Sequence, residues 1–365
     1  MMRTSTPLSL LPTFLLSLNK ASNYLTGKIA CDERVLFFPT LANKINATHW
    51  HVPIHGWIFE PETESKKRRV AIKGLGKLFQ VNDVDEKRLL KRRLMWFTVD
   101  NQSMKYVKIA IVGSGIEEKE EGEGDHYRLP RSAKDGHFIG HLTLRNDELL
   151  DAADSDGIVR YEAIDHKRTF AGAIHLLPPT GVSIISDIDD TVKITNYLDK
   201  KEFYKNTFLR EFKQVPGMKE LFHACKSKYD NNCSIHYVSA SPYQLFEELS
   251  NFFTTAGFPS ATYHLKRIRV KDKTLLQLFA DPEDYKIRQI TPILNTYPLR
   301  KFILIGDSGE KDPEVYKELI RRYPNQIEKI WIRNVNGANA TRMEGVDPGR
   351  WRFFSDGYDL MDEVV

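Results

Sequence analysis

The chain has 365 residues, 41% hydrophobic and 28% charged, which is ordinary for a globular protein and long enough for two domains. Its formal net charge of +4 is too mild for a dedicated nucleic-acid binder, yet it leaves room for anionic lipid or phosphate-bearing substrates. Three cysteines (Cys31, Cys225 and Cys233) form neither a disulfide framework nor a metal-spaced set, so the chain reads as one from a reducing compartment, and the sequons at Asn46 and Asn339 as chance.

Residues 1–33 contain an apolar run, Leu8 to Leu18, interrupted by Pro12, with Arg3, Lys20 and Lys28 and no acid before Asp32. They read as a poorly ordered terminus that partly docks on the core, with a transit peptide or interfacial anchor as the alternative. No apolar run approaches the length of a bilayer span.

From 34 to 179 the periods are those of β structure. Segments 34–41, 51–59, 106–112, 138–144, 158–164 and 171–177 are short and rich in β-branched or aromatic residues. Around 138–144, Phe138, Leu142 and Leu144 alternate with Ile139, His141 and Thr143, as in a strand with one face on a core. Segment 85–97 (DEKRLLKRRLMWF) reads as the one helical interruption, basic on its exposed positions. These signals predict a β-sandwich-like domain of about seven strands. The acidic run 117–125 reads as a solvated loop, 111–116 (IVGSGI) as a hairpin end, and the basic cluster 66–69 as the surface cap of a strand. His49, His51 and His55 share a strand face, but no carboxylate or cysteine lies beside them to complete a metal site.

At Gly181 the period changes. Strand signals at 182–186, 234–238, 262–268, 301–305 and 328–333 alternate with helical ones at 216–228, 241–256, 284–294 and 312–322. The alternation predicts an α/β domain over 180–365, a doubly wound, Rossmann-like parallel sheet with right-handed crossovers.

Polar residues gather where these strands end. The first set is Asp187, Asp189, Asp190 and Thr191, directly after an apolar run; crowded carboxylates resist burial unless a cation or a special task keeps them there. Ser239 ends the second strand, and Ser241-Pro242-Tyr243-Gln244 reads as a capping box whose helix aims its free N–H groups at Ser239. Lys286 opens a later helix, and Gly306-Asp307-Ser308-Gly309-Glu310-Lys311-Asp312 follows the fourth strand. Carboxyl ends of strands are where open α/β sheets bind ligands. The chemistry that uses such a set is phosphoryl transfer: an aspartate nucleophile, a second carboxylate for proton transfer, a cation and hydroxyl for phosphoryl oxygens, and a hard divalent metal, Mg²⁺.

DIDDT, the serine of YVSASPYQL, Lys286 and GDSGEKD resemble the four signatures of the haloacid-dehalogenase superfamily of phosphatases. GVSIISDIDDTVKITN, VPGM, SASPYQLF and KIRQITPIL narrow this to the actin-patch-protein type of phosphatidate phosphatase, whose catalytic domain is akin to that of lipins. The likeness covers about 179–323 well and the β-rich region, including HVPIHGWIFEP, weakly. It implies Asp187 as nucleophile and Asp189 as general acid/base, with its backbone carbonyl on the metal. It implies Thr191, Ser239 and Lys286 as substrate-binding residues, and Asp187, Asp189, Asp307 and Asp312 as the metal-holding set, Asp312 through water or by holding Lys286. Glu310 is a further candidate and Asp190 a structural acid. Lys266, Arg267, Arg269 and Lys271 read as a solvated basic strand end, competing with Lys286 as cations near the site.

The short connections predict a minimal cap, and an open pocket suits a lipid headgroup at a membrane surface. The reading is therefore a Mg²⁺-dependent phosphatidate phosphatase, cytoplasmic and peripheral to a membrane, or mitochondrial if the N-terminal segment targets it. The alternatives are a phosphatase on another phosphomonoester and a non-catalytic phosphatidate sensor.

Overall fold

The computed structural model describes residues 26–61, 66–78, 81–113, 126–165, 168–230, 232–268 and 283–364. The acidic run at 117–125, Arg269, Lys271, most of the N-terminal segment and the end of 111–116 lie outside the described residues.

The described residues of the first half build nine strands: β1 (Arg34–Phe38), β2 (Thr40–Lys44), β3 (His49–Glu60), β4 (Asp100–Asn101), β5 (Lys108–Ile111), β6 (Tyr127–Arg128), β7 (His137–Arg145), β8 (Ile158–Asp165) and β9 (Arg168–Leu177). They join in one curled sheet rather than the seven-stranded sandwich expected. β3 is the centre. β7 covers one of its edges, and β1 and then β2 follow one another along the other. The single strand expected over 34–41 breaks at Pro39, which has no N–H for the ladder. Beyond it, Thr40–Asn43 run parallel to Ile174–Leu177 of β9, and this transfer bends the sheet round. The strand histidines pair with one another: His51 Nε2 lies 3.0 Å from His141 Nδ1, and His55 Nε2 lies 3.1 Å from His137 Nδ1.

Among the described residues, three helices decorate this sheet: α1 (Lys66–Leu78), α2 (Val84–Met95) and α3 (Asn146–Ala152). The basic cluster thus opens α1 instead of capping a strand. Its helical signal was weak because Gly74 and Gly76 are poor helix formers, but Ile72 packs on the core and holds it. α2 begins at Asp83, whose carboxylate accepts from the N–H groups of Asp85 and Glu86.

The second half forms a six-stranded, wholly parallel sheet. Its elements are β10 (Val182–Ser186), α4 (Lys200–Phe208), α5 (Met218–Lys228), β11 (Cys233–Pro242), α6 (Phe246–Ala256), β12 (Ala261–Lys266), α7 (Glu283–Thr296), β13 (Lys301–Asp307), α8 (Asp312–Arg322), β14 (Ile327–Arg333) and β15 (Trp351–Phe354). The strand order is β12-β11-β10-β13-β14-β15. Every residue of β10 is buried. Ile184 packs with Leu221 of α5 and Leu249 of α6, while Ile185 packs with Ile290 of α7 and Leu319 of α8. That two-residue alternation with helices on both faces is the doubly wound arrangement expected. α4 and β15 were not foreseen.

The two sheets share a core. Phe38 lies 4.4 Å from Tyr243 and 5.0 Å from Phe246, ring to ring, and Trp57, Leu90 and Leu94 join the same cluster. α2 supplies the polar part of the joint. Lys87, Arg88 and Lys91 are exposed as expected, but Arg93 is 1% exposed. Its guanidinium donates to the carbonyls of Thr207 and Arg210 (both 2.8 Å) and lies 3.9 Å from the Phe212 ring, while Arg92 pairs with Glu248 at 2.7 Å. Arg93→Met removes the donor to both carbonyls at a position that is 1% exposed. It should cost on the order of 3 kcal/mol, read as a lower denaturant midpoint; an unchanged midpoint would show the joint to be dispensable.

Candidate active site

β10 delivers its last residues to the carboxyl edge of the parallel sheet. The N–H of Asp187 still donates to Ile305 O (2.9 Å), and the chain then turns away. Asp190 sits at φ 54°, a left-handed conformation that disfavours most side chains but that aspartate tolerates. Its carboxylate stabilises the turn by accepting from the N–H groups of Thr195 and Asn196 (both 2.8 Å) and Tyr197 (2.6 Å). Arg333 Nη1 donates to Asp190 O at 2.8 Å from the end of β14. Asp190 is thus a loop-building acid.

The end of β13 supplies the opposite wall. Asp307 Oδ1 accepts from the N–H groups of Gly309 (2.6 Å) and Glu310 (3.1 Å), and the N–H of Asp307 donates to Asp312 Oδ2 (3.1 Å). Gly306 is required here, because a Cβ at that position would intrude on the Asp312 carboxylate. Lys286, 1% exposed, reaches in from α7. Its Nζ lies 3.2 Å from Asp187 Oδ1 and 2.9 Å from Glu310 Oε2, and it pairs closely with Asp312 Oδ1. Among the rival cations, Arg267 is paired with Asp135 at 2.8 Å.

Three carboxylates (Asp187, Glu310 and Asp312) therefore meet one ammonium, with a fourth, Asp307, beside them. Burial pushes the Asp187 carboxyl well above its ordinary range; Lys286 opposes this, and Asp312, Glu310 and Asp307 add to it. Asp307 is raised for the same reasons, burial first, then Asp312 and Glu310. Burial alone would lower Lys286, but Asp187, Asp312 and Glu310 outweigh it and hold the ammonium well above its usual range. The surplus negative charge asks for another cation.

The donor set fits one. Asp187, Asp307 and Glu310 each offer an oxygen within 4.8 Å of the others, and the buried Asp307 Oδ2 has no hydrogen-bond partner among the described residues. Oxygen-only donors suit Mg²⁺ better than a metal that prefers nitrogen or sulfur. Of the residues expected to hold metal, Asp187 and Asp307 stand in this trio. Glu310, the weaker candidate in the sequence, joins them. The Asp312 oxygens serve Lys286 and the Asp307 N–H. The Asp189 side chain points elsewhere: Oδ1 accepts from Lys193 Nζ (2.6 Å) and Thr195 Oγ1 (2.7 Å), and Oδ2 from Ser241 Oγ (2.8 Å). Burial alone would raise Asp189, but Lys193, Thr195 and Ser241 outweigh it and hold it below its ordinary value.

The capping box expected at 241–244 does not form. β11 continues to Pro242, a 3-10 turn covers Tyr243–Leu245, and α6 starts only at Phe246, with no side-chain cap. The buried Asp189 carboxylate takes the Ser241 hydroxyl instead, a stronger charge-assisted bond than a cap would offer. Ser239 nevertheless lies at the site. It accepts from the N–H of Ser241 (3.0 Å), and its hydroxyl is 3.4 Å from Asp189 Oδ2. Thr191 Oγ1 stands 3.4 Å from Asp187 Oδ2. Lys193, Thr195 and Ser241 were missed as site residues; the signal for Lys193 was a lone lysine between Val192 and Ile194, directly after a carboxylate cluster.

Residues 182–334 match the family described as phosphatidate phosphatase APP1, catalytic domain. That segment is similar to the family's catalytic domain. The chain is also similar to the phosphatidate phosphatase APP1 of Saccharomyces cerevisiae, 34% identical over 158 residues, which is 42% of this chain and 26% of that protein. An uncharacterized protein of Schizosaccharomyces pombe is 30% identical over 192 residues, 51% of this chain and 29% of its own length. The chain thus spans under a third of the curated relatives it matches. The APP1-type segment contains the whole carboxylate cluster, and no described helix is long and apolar enough to cross a membrane.

Proposed function

We propose that the chain is a Mg²⁺-dependent phosphatidate phosphatase, releasing diacylglycerol and phosphate through an aspartyl-phosphate on Asp187, on a haloacid-dehalogenase-like scaffold with a minimal cap. The observation that carries this is the trio Asp187, Asp307 and Glu310, the first two buried and the third partly so, with an oxygen on Asp307 that has no partner among the described residues and Lys286 beside it, within the APP1-type segment. The name of the yeast relative supports phosphatidate as substrate.

An Asp187 oxygen attacks phosphorus, and the bond to the glycerol oxygen breaks. Asp189, next to the Ser239 and Ser241 hydroxyls, is held ionised by Lys193, so the proton for that leaving oxygen comes from the Lys193 ammonium, 2.6 Å from Asp189 Oδ1, passed on through this carboxylate. The ionised carboxylate then draws a proton from the water that hydrolyses the acyl phosphate. Ser239 and Lys286 bind the phosphoryl oxygens, and Thr191 steadies Asp187. Mg²⁺ on the carboxylates supplies charge neutralisation for nucleophile and phosphoryl group. One short helix, α4, is the main described feature between β10 and α5, which supports a minimal cap; access for a headgroup presented on a membrane surface, and peripheral membrane contact, are part of the proposal.

The test is phosphate release from phosphatidate in detergent micelles with Mg²⁺, then with chelator, then with Mg²⁺ restored. Activity should vanish and return. Undiminished turnover in chelator would sink the metal, and hydrolysis of soluble phosphomonoesters with phosphatidate untouched would sink the lipid. Lipid binding with no turnover of any phosphomonoester would favour the sensor.

A further inference from the structure

The family match ends at residue 334, yet the chain beyond it returns to the site. Arg342 lies in the 3-10 turn Ala340–Met343, packed over the loop that follows β13. One guanidinium nitrogen donates to Ser308 O and the other to Glu310 O (2.7 Å). Its Nε and Nη2 also grip the Glu314 carboxylate, at 2.8 and 2.6 Å, in the first turn of α8. Asn336 seconds the grip. Its amide donates to Ser308 O (3.2 Å) and its Oδ1 accepts from the Ser308 hydroxyl (2.7 Å), while the N–H of Val335 donates to Ser308 Oγ (3.0 Å).

The loop so held is the one that carries Glu310. Its inner side gives two N–H groups to Asp307 Oδ1, which leaves Oδ2 for a ligand, and its side chain brings the third carboxylate of the trio. Its outer side offers two carbonyls, and Arg342 takes both. An arginine serving only as a surface ion pair would need Glu314 alone. A planar fork spanning two loop carbonyls and a helix carboxylate fixes the path of the backbone between them.

We propose that Arg342 is a positioning residue that sets the affinity of the site for its divalent cation by fixing Glu310 as an oxygen donor. The proposal rests on the metal reading above. Groups behind metal ligands typically account for about 10–100-fold in metal affinity.

Titration calorimetry with Mg²⁺ on the full chain provides the test, because it reads binding without turnover. Arg342→Met should weaken Mg²⁺ binding by about 10–100-fold, and the Mg²⁺ concentration for half-maximal phosphate release should rise in parallel, while kcat at saturating Mg²⁺ stays within about 3-fold. Glu314→Gln, which keeps the loop and loosens only the anchor of the guanidinium, should shift affinity in the same direction by less and guards against misfolding of the first variant. If the parent binds Mg²⁺ and both variants bind it equally well, the positioning role is overturned and the metal reading survives. If the parent takes up no Mg²⁺, both fall. A drop in kcat with unchanged Mg²⁺ affinity would also overturn the proposal, since it would place Arg342 in the chemistry rather than behind a ligand.

Discussion

Asp187→Asn should lower phosphate release from phosphatidate by a factor on the order of 10⁴ or more, the scale seen when a covalent nucleophile is removed. The amide has the size of the carboxyl but cannot attack phosphorus. Stability should not suffer. The fold raises the Asp187 carboxyl well above its ordinary range, chiefly through burial, so the native state already disfavours the charge that the substitution deletes. In metal-free buffer the variant should melt at or above the parent's temperature. Added Mg²⁺ should raise that temperature less than it does in the parent, because one of three oxygen donors is gone. Turnover comparable with the parent's would remove Asp187 as nucleophile, and an unfolded variant would contradict the electrostatic account of the cluster.

Lys286→Met should be damaging in two separate ways. It strips the cation from two buried carboxylates (Asp187 and Asp312) and the partly buried Glu310, and breaking such a set by removing one partner costs about 3–5 kcal/mol. It also removes charge stabilisation from the phosphoryl group, a loss of about 10²–10³ in kcat. A pH series separates the two. Asp187 and Asp307 have raised native pKa values, so their protonated forms are favoured in the fold. Native stability from that source is fully present below the ordinary carboxylate pKa and is lost as pH rises through the raised values. Without Lys286 this penalty deepens. Measured in chelator, the variant should therefore regain melting temperature as pH is lowered from 8 towards 5, more steeply than the parent. Lys286 itself lies on the alkaline side: its raised pKa makes its contribution present at and below its ordinary value and lost only above it, so the neutral range reads the carboxylates. A flat profile would mean that the carboxylates are compensated by something other than Lys286.

Much of the site was legible because strand ends are conspicuous in sequence. Apolar β10 and β13 run straight into carboxylates, and no core strand carries those without a reason. The bounds of α8 follow from Asp312-Pro313 and the cationic end at Arg322, and the structure begins and ends it there. What sequence hid were polar residues recruited across the fold. Ser241 has every local credential of a helix cap and spends its hydroxyl on Asp189 instead. Arg93 sits in a basic run that looks solvated, yet it is buried against Thr207 and Arg210, more than a hundred residues away. The strand at 34–41 read as one because Phe37, Phe38 and Leu41 are all β-formers; Pro39 between them decides otherwise. For Ser241 and Arg93 a local preference yields to a partner that no window of sequence contains, whereas Pro39 stood in plain view within its own segment.

The shared core carries a consequence for anyone wishing to work with the APP1-type segment alone. Cutting the chain at 182 would remove Phe38, Trp57, Leu90 and Leu94 from the apolar cluster that covers Tyr243 and Phe246, and cutting at 334 would discard β15, the last strand of the parallel sheet. The excised piece would present a greasy flank and a bare sheet edge together, the two features that drive proteins out of solution. The borders of the family match and the borders at which this polypeptide could be made to stand by itself are different borders.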